Sequence, residues 1–447
     1  MTSWKADYII KSVHIQNSLE NNFHKLMTKN HIAVDSFNSS RDLHRLEVFE
    51  TIRREKLVNR SGLSRLVSSS RPTVSMIVSE MVRLGLLVEV GEGISTGGRR
   101  PVQLKYCPKN RKAIGVVFFN NQVQAAVTDL DGNLLQVAEG AILGSSPDAM
   151  MDSMATVVDR IRAGIPRAEI LGVGAGVPGL VEFDTGVIEI STSMGWLKGG
   201  INVKQYLEQK LDLPVYVANR SRVAALGELV SGIGKDINNL IYLYLGQGIA
   251  AGIVSDGQLF FGSSSGSGEI GHVSVDPDGP LCGCGNHGCL EVFASEASIL
   301  ARARAMAREH GESALQSMVE GHLEMLSMDH LVSAGLKGDL VALSVFTAVG
   351  QKIGMAVSIL INLFDPEMVV IGGPIGSGVG NLLLEPAKHE VMLRSLTRSI
   401  HRTRIVTGTL GIKAAAVGAA TLVIGHTPID TIFVPENWKR KQQLISV

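Results

Sequence analysis

The order strand, turn, strand, turn, strand, then helices occurs twice in this chain, and that duplication limits the fold more than any other feature. In the first set, Ile114 to Phe119, Val123 to Asp129 and Leu134 to Ala138 read as consecutive strands joined by tight turns, one of them Asp131-Gly132. Ala149 to Ala163 reads as a helix, Ile170 to Val177 and Val215 to Ala218 as strands, and Arg220 to Leu229 as the next helix. The second set opens with Leu240 to Leu245, Ala250 to Ser255 and Gln258 to Phe261, continues through long helices and closes on Met368 to Ile371 before Gly372-Gly373. Such alternation predicts an α/β fold. A repeated α/β lobe leaves a cleft between its copies, a usual place for small molecules. Forty-nine glycines and 5% aromatic residues also disfavour a coiled coil or an aromatic-rich β-sandwich.

Ahead of this body lies a segment of different texture. Leu43, Leu46, Phe49 and Ile52 recur every third residue within Asp42 to Ile52, which predicts an amphipathic helix burying that face. Ser61 to Val67 reads as a short second helix. Ser70 then caps a third helix, Arg71 to Leu84, with Pro72 where its missing N–H costs little. Val74, Ile77, Val78, Met81 and Leu84 form its buried face; Arg71, Thr73, Ser75, Met76, Ser79 and Arg83 form the other. Gly85 ends it. Leu86 to Val90 and Val102 to Tyr106 can pair as strands around the loop GEGISTGGRRP. Three helices and a β-hairpin make a winged helix-turn-helix, whose last helix enters the DNA major groove. The candidate DNA-binding residues are Arg71, Thr73, Ser75 and Ser79 on the helix, with Arg99 and Arg100 on the wing reaching phosphates or a narrow minor groove.

The charge follows the same division. Lys+Arg and Asp+Glu number 42 each, so the total is zero, yet residues 41–105 hold twelve cations against seven anions. Residues 1–40 hold four against three, which leaves 26 against 32 beyond residue 105. A basic head precedes an acidic body. No secretory signal is evident in MTSWKADYII, and the longest apolar stretch, Ile353 to Phe364, is too short to span a bilayer. Four cysteines, three of them between Cys282 and Cys289, do not make a secreted disulfide framework, so the expected location is the cytoplasm, with no membrane partner.

The block GEIGHVSVDPDGPLCGCGNHGCLE (Gly268 to Glu291), with GVPG at Gly176 to Gly179 and VIGG at Val370 to Gly373, resembles the ROK family of sugar kinases and sugar-responsive repressors. SRPTVS (Ser70 to Ser75) and the TGGRRP wing resemble its repressor branch. The resemblance covers nearly everything after residue 41 and implies an actin-like ATPase (ribonuclease H-like) body of two lobes, forming a homodimer or homotetramer. The expected division is an N-terminal extension (1–40), helical in part or disordered; the winged helix-turn-helix (41–106); lobe 1 (107–228, with a return helix at about 411–425); lobe 2 (229–410); and a tail (426–447).

His272, Cys282, Cys284 and Cys289 offer one imidazole and three thiolates within eighteen residues. That soft, four-ligand set suits tetrahedral zinc with no position left for water, hence a structural Zn2+ that orders the Pro277 to Cys289 loop. The family's zinc site matches all four positions. Cys107 lies outside it.

Three departures from the kinases predict that the chain does not phosphorylate sugar and is not an enzyme. The resemblance places their first phosphate loop at Gly115 to Asn121, where this chain has GVVFFNN, with Phe118 and Phe119 in place of glycines. Gly246-Gln247-Gly248 carries Gln where the kinases carry Thr. The kinases' catalytic aspartate falls at Arg220, whose guanidinium stays protonated and cannot act as a base.

The family's sugar-contacting positions match at Asn219, Glu269, His272 and Glu291, while Ser193 replaces the Asn that precedes Gly195-Trp196. Arg220 would then meet a phosphate or carboxylate already on the ligand, or form a salt bridge with Glu269 or a neighbour. The function expected is a repressor of carbohydrate uptake or catabolism genes that binds a double-stranded DNA operator and responds to a sugar or sugar phosphate. A hexose kinase with a regulatory head is the alternative, and a body that docks a protein partner is a third.

Overall fold

The computed structural model describes residues 40–92, 101–119, 122–195, 200–309, 313–396, 401–427 and Ile432. The expected extension 1–40, the wing residues Arg99 and Arg100, and nearly all of the tail lie outside them.

The head runs α1 (Ser40–Glu55), β1 (Leu57–Asn59), α2 (Arg60–Leu66), α3 (Arg71–Arg83), β2 (Leu87–Glu92) and β3 (Val102–Tyr106). Leu46, Phe49 and Ile52 are buried, whereas Leu43 in the first turn is 39% exposed and Val48 is buried instead. The buried face is turned from the expected stripe because α1 packs on α2, α3 and β1 together. At the start of α3 the Ser70 hydroxyl accepts from the Thr73 N–H; at its end Gly85 has φ +71°, a left-handed conformation that suits glycine. Val74, Ile77, Val78 and Met81 fill the core between them. Strand β1 was not legible in the sequence. Three residues carry no periodicity, yet β1 pairs with β3 (Val58 opposite Leu104) to give the order β1-β3-β2. The head core continues into the body through Ala113, Leu130, Leu171, Ala420 and Val423.

The first body sheet comprises β4 (Lys112–Phe119), β5 (Gln122–Asp129), β6 (Leu134–Ala141), β7 (Ile170–Val177) and β11 (Val215–Asn219). Between β7 and β11 lies a small sheet of β8 (Leu180–Glu182), β9 (Val187–Ile190) and β10 (Ile201–Asn202), which the sequence reading missed. Helix α4 (Pro147–Arg162) packs on the first sheet, and α5 (Val203–Leu211) packs on α4 and β11. The second sheet comprises β12 (Leu240–Leu245), β13 (Ile249–Ser255), β14 (Gln258–Leu259), β15 (Met368–Gly372) and β16 (Arg404–Thr407). Their orders, β11-β7-β4-β5-β6 and β14-β13-β12-β15-β16, are the same pattern read from opposite ends: three antiparallel strands, then two parallel ones. Thus the body is a duplicated α/β lobe. Strand β14 stops before Phe260 and Phe261, two residues short of the Gln258 to Phe261 expected from sequence. The four-residue edge strand β16 has no counterpart among the strands expected from sequence.

Two helices join the lobes, α6 (Arg220–Ser231) and the helix Ala414–His426, which also packs on β4, β5 and β7. A Cβ on Gly418 would lie 1.6 Å from the Val223 carbonyl oxygen, and one on Gly227 would lie 2.1 Å from that of Ala414. Only glycine at these points lets the two helix backbones meet. The helix Leu340–Phe364 is longer than the apolar stretch read from sequence, and its length and composition alone would let it cross a membrane. Its buried face, from Val341 and Ala342 through Ile353 to Ile361, instead forms the core of lobe 2.

Candidate functional site

A small cleft opens where the end of β7, the start of α6, the β12–β13 turn and the segment from Glu269 to Glu291 converge. Asn219, Arg220, Glu269, His272 and Glu291 all line it. Their convergence from residues 72 positions apart follows from the duplicated topology, which brings the strand ends of both lobes to one crevice.

Asn219 ends β11 and caps α6: its Oδ1 accepts from the Ser221 N–H (2.8 Å) and hydroxyl (2.7 Å), and its Nδ2 donates to the Gly179 carbonyl (2.8 Å). Most of its hydrogen-bonding capacity therefore holds the cleft wall, leaving one N–H. Glu291 accepts from the Ile249 N–H at 3.1 Å. Burial pushes the Glu291 and Glu269 carboxyls above their ordinary range, opposed in each case first by His272. Two carboxylates beside a histidine can accept and donate hydrogen bonds to a polyol.

His272 stands between the cleft and a second group. Its Nδ1 lies 3.7 Å from Cys282 Sγ, while its Nε2 lies 3.5 Å from Thr192 Oγ1 at the cleft. Cys284 Sγ and Cys289 Sγ are 3.7 Å apart, and the ligand atoms of all four residues fall within 4.8 Å of one another. These four side chains can hold a metal ion. An ion on Nδ1 would leave the proton on Nε2, fixing a donor toward the cleft.

Arg220 is 5% exposed. Its Nη1 donates to the Phe118 carbonyl (2.9 Å), its guanidinium lies 4.7 Å from the centre of the Tyr244 ring, and its Nε is buried without a partner among the described residues. The alternative of a salt bridge to Glu269 or a neighbour is not formed among the described residues. Behind Arg220 lies a narrow crevice bounded by Val117, Phe119, Tyr242, Tyr244 and Pro374. Strand β4 runs straight through Phe118 and Phe119, with Phe119 opposite Gln122, so no glycine-rich loop forms there. Sequence reasoning missed Thr192 at the cleft wall and Arg222, which is 2% exposed and holds the loop leading to Glu269 by donating to the Ser265 and Ser267 carbonyls. Neither carries a motif; both become visible only through their partners.

On the head, Arg71 and Ser75 are exposed on α3, as is Ser79, while Thr73 is half-buried with its hydroxyl 2.8 Å from that of Ser70. Arg60, also absent from the sequence reading, reaches α3 from α2.

The ROK family model matches residues 114–426. A protein named putative xylose repressor from Caldicellulosiruptor sp. (strain Rt8B.4) is 31% identical over 387 residues, 86% of this chain and 96% of its own length. The crystal structure of a ROK family transcriptional regulator described as a homolog of the E. coli MLC protein matches with TM-score 0.72 at 24% identity, over 88% of this chain and 99% of that one. A ROK family glucokinase from Streptomyces griseus, solved with glucose and AMPPNP, matches with TM-score 0.63 at 29% identity, over 70% of this chain and 98% of that one. Repressor and regulator thus cover more of the chain than the kinase does.

Proposed function

The chain belongs to the ROK family, and on that premise we propose that it is a sugar-responsive transcriptional repressor of carbohydrate uptake or catabolism genes. The observation that carries this reading is the joining of an exposed recognition helix, α3, to a two-lobed cleft lined with sugar-type polar groups. The repressor-named relative aligns over 86% of the chain, the glucokinase structure over 70%.

In this reading the cleft takes a monosaccharide. Glu269, Glu291 and the His272 Nε2–H bind hydroxyls, and Asn219 shapes the wall. The Arg220 guanidinium, which lines the cleft, meets a phosphate or carboxylate on the ligand. Phosphoryl transfer has no support at this position, because a guanidinium takes no proton from a hydroxyl. The metal is zinc in a structural role: separations of 3.7 Å approach the edge, about 3.8 Å, of a tetrahedron with ~2.3 Å metal–sulfur bonds. It folds the loop that carries Glu291 and fixes the His272 ring. A cytoplasmic homodimer or homotetramer would present paired heads to half-sites about one DNA turn apart or a multiple of it. Ligand, by preferring one arrangement of the lobes, shifts the population of head arrangements.

The test is selection of bound DNA from the source genome, followed by gel-shift titration of the selected fragment with and without a panel of pentoses, hexoses and their phosphates. A specific complex whose affinity changes with one sugar supports the reading; absence of any selected sequence defeats it.

A further inference from the structure

Ser79 lies in the middle of the exposed face of α3, where a recognition helix meets base edges, but its one proton is already committed. The Ser79 hydroxyl donates to the Ser75 carbonyl at 2.9 Å and accepts from Arg60 Nη1 at 3.1 Å. The same Nη1 donates to the Ser75 carbonyl at 3.0 Å. A serine has a single O–H, so Ser79 keeps no donor for the acceptors that guanine, adenine and thymine show in the major groove.

Arg60 is held from both sides. It is the first residue of α2, whose first turn is fixed by Asn59: its Oδ1 accepts from the Gly62 N–H at 2.7 Å and from the Ser61 hydroxyl at 2.8 Å. Its far end is seated on α3 by the bonds to Ser75 and Ser79. Both seats use Nη1, which leaves the edge formed by Nε–H and Nη2–H uncommitted, and no ion pair joins Arg60 to a carboxylate among the described residues. Two parallel donors on a rigid, permanently charged plane match the O6 and N7 acceptors of guanine.

We propose that Arg60, delivered from α2 and seated on Ser75 and Ser79, reads a guanine in the major groove, and that Ser79 serves as its seat rather than as a reader. The inference rests on the DNA-binding reading of the head.

The experiment uses the full chain in selection from a randomised duplex library, with the wild type, R60A, R60K and S79A compared by the base preferences of the enriched sites. The wild type enriches a guanine at one fixed position per half-site. R60A loses preference at that position alone, with affinity for the wild-type site lower by on the order of 10-fold to 100-fold. R60K loses the same preference, because an ammonium offers no parallel pair of donors. S79A keeps the guanidinium but weakens the preference. R60A or R60K sites identical to the wild-type ones would overturn the proposal. So would a loss uniform across all sequences with a shallower salt dependence, since that places Arg60 on a phosphate. Should R60A fail to fold, R60K and S79A carry the comparison. A wild-type protein that enriches no site would sink the DNA-binding reading and this inference with it, a result distinct from a site that lacks the guanine.

Discussion

Lys56 Nζ lies 2.6 Å from Asp131 Oδ2, an ion pair that ties the residue directly after the first head helix to the β5–β6 turn of lobe 1. Lys56 has φ +61°, its carbonyl accepts from the Tyr106 N–H, and its ammonium lies 5.0 Å from the centre of the Tyr106 ring. On the body side, the carbonyl of Gly132 accepts from the Ser231 hydroxyl at 2.7 Å. Ser231 ends α6, the helix that begins with Arg220 in the cleft. One rigid element, twelve residues and about 18 Å long, therefore has the candidate cleft at one end and a contact with the head's attachment at the other.

Replacing Asp131 by Ala is expected to change global stability by less than about 1 kcal/mol, since Lys56 is largely exposed. The sugar-induced change in operator affinity is expected to fall severalfold, while sugar affinity itself is kept. Gel-shift and calorimetric titrations read the two separately. An undiminished sugar response in D131A would place the coupling elsewhere.

Zinc content is the readout for the second site. The C284S protein is expected to lose stoichiometric zinc by elemental analysis and to melt at lower temperature, because the loop then lacks the ion that closes it. Unchanged metal content would remove Cys284 from the site.

For the cleft, a thermal-shift panel is expected to show larger stabilisation by a sugar phosphate or acidic sugar than by its neutral parent, with the difference lost in R220A. Neutral sugars stabilising the protein while their phosphates do not would assign Arg220 a purely structural role.

The carboxyls give a pH signature. Burial raises Glu269 and Glu291 in the folded state, so the folded protein holds those protons more tightly than the unfolded chain does. Their contribution is present below the ordinary carboxylate range and lost as pH rises through the raised one. In the absence of sugar, E269Q is expected to melt above the wild type at neutral pH and to converge with it in acid, while losing sugar-dependent stabilisation. A Tm gap independent of pH would contradict this assignment.

Arg71 begins the recognition helix. R71A is expected to weaken specific operator binding by ~1–3 kcal/mol if its guanidinium reads a base. Equal affinity and equal base preference in fluorescence-anisotropy titrations would remove it from the interface.

Much of this was legible in the sequence because it depends on short-range patterns. The apolar strand runs of the two lobes, the Ser70 cap with Gly85 at the other end of α3, and the spacing of His272, Cys282, Cys284 and Cys289 each follow from side-chain pattern, backbone preference or ligand chemistry within a few turns of chain. The short strands β1 and β16 were not legible, because three or four residues form a strand only when a neighbour supplies hydrogen bonds. Thr192, Arg222 and Arg60 were equally hidden: each acts through a partner distant in the chain, and a lone Thr or Arg carries no signal.

The sequence by itself determined that a basic winged helix precedes a duplicated α/β body with a four-ligand cluster and no carboxylate at position 220. Tertiary structure alone decided what Arg220 touches. Charge arithmetic offered it a phosphate or Glu269, but the packing of β4 against α6 and β12 puts the Phe118 carbonyl and the Tyr244 ring within its reach. A long, flexible cationic side chain takes the partners that a finished fold places around it. Local sequence fixes its charge, whereas its contacts depend on the strands of both lobes closing on one crevice.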